Sequence, residues 1–252
     1  MAEIKMDLNS YCIGHTTGSG DNDRLLALPE GFVTEAQALG AGVKKTANGF
    51  LTPEYLYKTP DMLKDIVRID EQSAVKIILE KIKNAPKDVL LKVSGPYSVL
   101  ASVIDPSLLY RWLRKEPDLI HEALEKITRG LSGYIQAAFS LGAKILSLAD
   151  PYANEKILGQ NRYREYAAAY FVKLLAQILR ENTRGVIHLC PHHSLLLEEY
   201  GYIKKETINF ETESYTEALR IYSAKNKMLL AGHQCIYSGK VQTLHLLTLM
   251  GT

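Results

Sequence analysis

The chain has 252 residues, a formal net charge of +2, and ordinary shares of apolar (46%) and charged (23%) residues. That length suits one large core, and the near-neutral balance argues against nucleic acid or an anionic membrane surface as partner. No apolar run is long enough to span a bilayer, and Met1–Asp7 carries acids rather than the apolar core of a secretory signal. Cys12, Cys190 and Cys235 stand far apart, so thiols or metal ligands are expected rather than disulfides, and the cytoplasm is the expected compartment.

Taken in chain order, the first 85 residues are the least regular. Tyr11–Thr16 reads as an opening strand, Gly18–Asn22 as a loop, and Asp70–Lys83 as an amphipathic helix through Val75, Ile78, Leu79 and Ile82. From about residue 86 strands and helices alternate. Val89–Ser94 is a β-rich run broken by Gly95-Pro96, and Pro117–Leu141 is a helix stopped by Gly142. Lys144–Ala149 is a strand closed by Asp150-Pro151, and Tyr163–Glu181 a second long helix. Gly185–Leu189 is the next strand. Leu195–Tyr200 reads as helix, Thr207–Phe210 as strand, Ser214–Ala224 as helix, Lys227–Ala231 as strand, and a final helix is expected from about Lys240.

Such alternation predicts a parallel sheet in an α/β fold. No Gly-x-Gly-x-x-Gly and no phosphate loop follows a strand, which weighs against a nucleotide-binding sheet. Polar residues cluster just after strand ends, at Ser94, Asp150, His188 with Cys190, Glu211, and His233 with Cys235. A barrel places its active site there. In a strand, residues two apart face one side, so His188 and Cys190 converge where their strand stops. Imidazole and thiolate suit zinc. The plainer alternative is a core histidine beside a buried thiol.

Ser94-Gly95-Pro96-Tyr97-Ser98, Ala143–Leu148 with Asp150-Pro151, Val186–Cys190 and Leu230-Ala231-Gly232-His233 fall in order. Together they resemble the uroporphyrinogen decarboxylase superfamily, which includes zinc-dependent methyltransferases acting with corrinoid proteins or coenzyme M. Ile208–Thr212 also resembles the strand carrying the zinc-ligating glutamate of cobalamin-independent methionine synthase, a related barrel. The resemblance runs from about residue 30 onward.

What it implies is a TIM-type (β/α)8-like barrel, abbreviated here, as one domain over residues 1–252 with residues 1–85 packed on it. His188, Cys190, Glu211 and Cys235 are the implied zinc ligands. His233 is the alternative to Cys235, and a site resting on His188, Cys190 and Glu211 alone is the other. Asp150 and Glu211 are the implied catalytic residues, while Tyr97 and His192 face the cofactor. The implied reaction moves a methyl group between a small substrate (methyl ether, methanol-like, methylamine or thiol) and a corrinoid carried by a partner protein. A homodimer is left open. The decarboxylase branch carries an arginine-rich N-terminal motif, whereas Arg24 is the one arginine before residue 68. A metal-free decarboxylase is therefore the lesser alternative, beside a non-catalytic subunit that binds a corrinoid protein.

Overall fold

A computed structural model describes residues 25–29, 33–45, 51–180, 184–224 and 228–251. The strand expected over Tyr11–Thr16, with Cys12 and His15, lies outside them. The described chain opens with β1 (Leu25–Leu28), the short α1 (Thr34–Ala38), and an antiparallel hairpin of β2 (Val43–Lys45) and β3 (Leu51–Pro53). Two 3₁₀ turns lead to α2 (Ser73–Lys83), which buries Val75, Ile78 and Ile82 at helical spacing.

β4 (Asp88–Ser94) is followed by three helices, α3 (Pro96–Ser102), α4 (Pro106–Lys115) and α5 (Pro117–Ser140). Each begins with proline in its first turn, where the missing N–H costs nothing. The Asp105 carboxylate also caps α4 by accepting the backbone N–H groups of Ser107 and Leu108. β5 (Ala143–Ala149) then leads through α6 (Glu155–Leu158) and α7 (Gln160–Arg162) into a π-helical turn, Tyr163–Ala168, and α8 (Ala169–Arg180). β6 (Gly185–Leu189), α9 (Pro191–Glu199), β7 (Ile203–Thr212), α10 (Tyr215–Ala224), β8 (Met228–Ala231) and β9 (Val241–Leu249) complete the order.

Among the described residues seven strands form one sheet in the order β1-β4-β5-β6-β8-β9-β7. The first five run parallel, and β9 and β7 are antiparallel additions at one side. The α/β class stands, and among the described residues the barrel is an abbreviated one: no pairing joins β1 to β7. Alternate side chains of the parallel strands go to opposite faces. Val89, Leu91, Leu146, Leu148, Ile187 and Leu189 pack in the larger core with α5 and α8, whereas Leu90, Ile145, Val186 and Ala231 pack with Tyr215, Ala218 and Leu219 of α10. With both faces covered, the strands read as nearly continuous apolar runs. Each fully buried leucine or isoleucine contributes about 1.5–3 kcal/mol through apolar burial.

One expected element is overturned. The helix foreseen from about Lys240 is β9, a nine-residue strand paired with β7 from Ile203↔Leu249 to Thr212↔Val241. Val241, Leu244 and Leu247 are its buried residues, spaced by three, and this imitates a helical stripe. Pairing with β7 satisfies the backbone instead.

Candidate strand-end site

The parallel strands end at one rim, where β4 passes into α3 through Ser94-Gly95-Pro96. Two buried carboxyls hold this turn. Glu35, from α1, accepts the Ser94 backbone N–H at 3.3 Å through Oε1. Asp150, directly after β5, accepts the Ser98 backbone N–H at 2.6 Å through Oδ1. The hydroxyl of Ser98 in turn accepts the Tyr152 N–H at 2.9 Å, tying the β5 end to α3. Gly95 is required by contact rather than by conformation, since a Cβ there would lie 2.4 Å from Asp150 Oδ2.

Burial is the main force on both acids. It pushes Glu35 up to about 7 against the backbone hydrogen bonds, and it pushes Asp150 up to about 7 against the bonds from Ser98 and Tyr97. One oxygen of each, Glu35 Oε2 and Asp150 Oδ2, has no hydrogen-bond partner among the described residues. Near neutral pH each acid is therefore shared between protonated and ionised forms, as suits a group that exchanges a proton.

Tyr163, the first residue of the π-helical turn, stands beside Asp150, whose charge adds to burial in raising the phenol's pKa. Its hydroxyl lies 3.3 Å from His193 Nδ1. His193 is 1% exposed, packs on Phe171 with ring centroids 4.0 Å apart, and is pushed down to about 3 by burial and then by His192. It is thus a neutral imidazole whose Nε2 has no partner among the described residues. Tyr163 thus stands between two buried polar groups, hydrogen-bonded to His193 and within the field of Asp150. Perturbed, incompletely paired groups of this kind mark functional sites.

His188 lies on β6, in register with Ser147 of β5 and Ala231 of β8. Its Nδ1 is 3.0 Å from the Ser147 hydroxyl and its Nε2 2.9 Å from the Gln234 carbonyl, while burial holds its pKa down to about 4. Cys190 is buried and directly precedes α9 as its N-cap, its carbonyl accepting the N–H groups of His193 and Ser194. Cys235 is half-buried and lies close to Tyr215, whose ring stands edge-on to His188 at 5.6 Å. The structure thus brings the segments of His188, Cys190 and Cys235 to one region.

It does not bring Glu211 there. Glu211 sits on the antiparallel β7, its side chain 68% exposed, and pairs with Lys240 at 3.2 Å. The strand was expected to run with the parallel set; the β7–β9 ribbon instead turns this carboxylate to solvent. His233 is committed elsewhere, with Nδ1 3.0 Å from the Ser194 hydroxyl and Nε2 2.6 Å from Glu198. Among the described residues no three His, Cys, Asp or Glu side chains gather around one point to hold a metal ion. With both His188 nitrogens in hydrogen bonds, the donor set as arranged does not fit zinc.

Tyr97 is buried in α3 rather than open to a cofactor, its phenol pKa raised by burial and then by neighbouring Tyr110 and Asp150. His192 is half-buried in the first turn of α9, its pKa lowered by burial and by Lys156. Sequence reasoning missed Glu35, Tyr163 and the buried role of His193. Pro191 at the first position of α9 was the available signal for His193, because it starts the helix four residues before the expected Leu195.

The family profile described as uroporphyrinogen decarboxylase (URO-D) matches residues 25–248. The chain is similar to the methylcobamide:CoM methyltransferase MtaA of Methanosarcina barkeri, 25% identical over 138 residues, 55% of this chain and 40% of that protein. It is also similar to a methylated-thiol–coenzyme M methyltransferase of Methanosarcina mazei, 25% identical over 60% of this chain and 39% of that protein. A uroporphyrinogen decarboxylase of Prochlorococcus marinus subsp. pastoris is 25% identical over 48% of this chain and 37% of that protein. Among solved structures, a methyltransferase from Methanosarcina mazei superposes with a TM-score of 0.54 at 20% identity, covering 66% of this chain and 51% of that one, a likeness of fold. The matches span about two fifths of the length of these curated relatives. With the profile extending over most of the described strands and helices, the chain belongs to the uroporphyrinogen decarboxylase family.

Proposed function

We propose that this chain acts in methyl transfer between a corrinoid borne by a partner protein and a small substrate, of which a thiol is the best supported. The observation that carries this reading is the buried strand-end Asp150, poised near pH 7 and close enough to Tyr163 to raise its pKa, in a chain similar to methylcobamide:CoM methyltransferases. The corrinoid supplies or receives the methyl group. A thiol that becomes a thioether must lose its proton, and Asp150 Oδ2 is the acceptor within the site. Burial, which leaves Asp150 2% exposed, keeps that carboxyl from bulk water. Zinc, implied by the family resemblance, enters no step, because His188 is engaged by Ser147 and Gln234.

The test is direct. The chain is mixed with methylcobalamin, or with a methylated corrinoid protein, and a thiol such as coenzyme M, and the corrinoid absorbance is followed. Demethylation should exceed the protein-free rate, and Asp150→Asn should lower it about 100-fold, the scale of general acid–base catalysis. Rates equal to the protein-free control with both methyl carriers would refute the proposal.

A further inference from the structure

His188 is half of a metal motif by spacing, and its surroundings give it different work. A carbonyl oxygen only accepts hydrogen bonds, so the 2.9 Å contact with Gln234 fixes the imidazole proton on Nε2. Nδ1 then carries the lone pair, and the Ser147 hydroxyl, at 3.0 Å, donates to it. A zinc-bound histidine commonly donates its second N–H to a carbonyl, so the Gln234 contact alone would suit a ligand. Ser147 is the difference: it occupies the one lone pair a metal needs. The imidazole is also 1% exposed, beneath the edge-on ring of Tyr215.

Gln234 belongs to the connection between β8 and β9, and a second histidine fastens the same segment. His233 takes a left-handed backbone, φ 66°, which a non-glycine residue adopts only when its surroundings hold it there. Its backbone N–H and its Nδ1 both meet the Ser194 hydroxyl at 3.0 Å, and Nε2 meets Glu198 at 2.6 Å. Gly232 sits so close to its neighbours that a Cβ would come within 2.7 Å of Leu247 and 3.1 Å of Ser194. The connection is thus tied to β5 and β6 through His188 and to α9 through His233.

We infer that His188 is a positioning residue that fastens the β8–β9 connection over the strand ends, and is not a metal ligand in this chain. The inference goes beyond the methyl-transfer reading and is independent of it, since its readouts are metal content and local opening rather than turnover.

Two substitutions separate the roles. In His188→Gln the side-chain amide keeps a donor for Gln234 and an acceptor for Ser147, but it is a poor zinc ligand. His188→Cys is the reverse, a good ligand that cannot span to Gln234. Protein prepared with zinc in the medium should hold far less than one zinc per chain, and chelator should not change its melting temperature. Amide exchange over residues 232–240 should match the unsubstituted protein in His188→Gln and run roughly tenfold faster in His188→Cys, as expected for losing a buried hydrogen-bond bridge. About one zinc per chain that His188→Gln releases and His188→Cys retains would overturn the inference, by the stoichiometry of a structural site. Unchanged exchange in both variants would overturn it as well.

Discussion

The two sides of the sheet treat the same side chains differently. On the parallel side, β4, β5 and β6 bury nearly every residue, and the carboxyls of Asp150 and Glu35 lie in apolar surroundings that push both up to about 7. On the antiparallel side, β7 exposes most of its length, and Glu211 stands in solvent against Lys240. A carboxylate on the ribbon is hydrated and cheap, whereas one at the rim of the parallel strands is costly and chemically poised. The difference lies in whether helices cover both faces.

The largest effect expected from this contrast is a pH dependence on the parallel side. Asp150 is raised from 3.8 to about 7, so the folded state binds its proton more tightly than the unfolded chain. Its contribution is fully present below pH 3.8 and is lost as pH rises through about 7, a loss on the order of 4 kcal/mol. His188 and His193, lowered to about 4 and about 3, act in the opposite sense: their contribution grows as pH rises from those values towards 6.5. Asp150→Asn removes only the first effect. Urea unfolding of both proteins from pH 4 to pH 8 should show the variant gaining on the parent as pH rises, and parallel curves would contradict the assignment.

Packing comes next. Leu148, fully buried beside Asp150, should cost about 3 kcal/mol when changed to Ala, against about 1 kcal/mol for half-buried Ile208 on β7. Equal losses in chemical denaturation would erase the contrast. Gly95→Ala should cost about 2 kcal/mol by forcing a methyl group onto the Asp150 carboxyl, and it should depress demethylation along with stability. The smallest effect belongs to the ribbon. Lys240→Ala breaks an exposed ion pair with Glu211 and should change stability by less than about 1 kcal/mol, readable as a nearly unmoved melting temperature.

The parallel side was legible in the sequence for the same reason that it is buried. Strands β4, β5 and β6 are apolar runs stopped by Gly95-Pro96, Asp150-Pro151 and Pro191, and β6 falls on Gly185–Leu189 as expected. α5 keeps its helical spacing from Pro117 to Ser140. α3 and α4 were missed although Pro96, and Asp105 with Pro106, are helix-start signals; both helices are short beside the helix that follows. In the ribbon, the strand expected over Thr207–Phe210 falls within β7, but β9 was not legible because pairing across chain separation, not local pattern, decides it. At the site, Asp150 was visible as a strand-end acid. Glu35 was not, because an acid in the brief helix Thr34–Ala38 carries no local mark of its burial. His188 and Cys190 were visible as a motif, but the hydrogen bonds of Ser147 and Gln234 that decide their use come from other strands.

The position of β7 also bears on how the protein behaves at high concentration. It is the last strand in the sheet order, and among the described residues it is hydrogen-bonded on one side only, by β9. An unpaired strand edge is a template on which other chains can add and grow into fibrils. Here the edge carries Lys204, Lys205 and Glu206 side by side, all exposed. Bringing two such edges together would desolvate those charges and set lysines near one another, so a strand that buries only Ile203 in the core guards the molecule against sticking to its own kind.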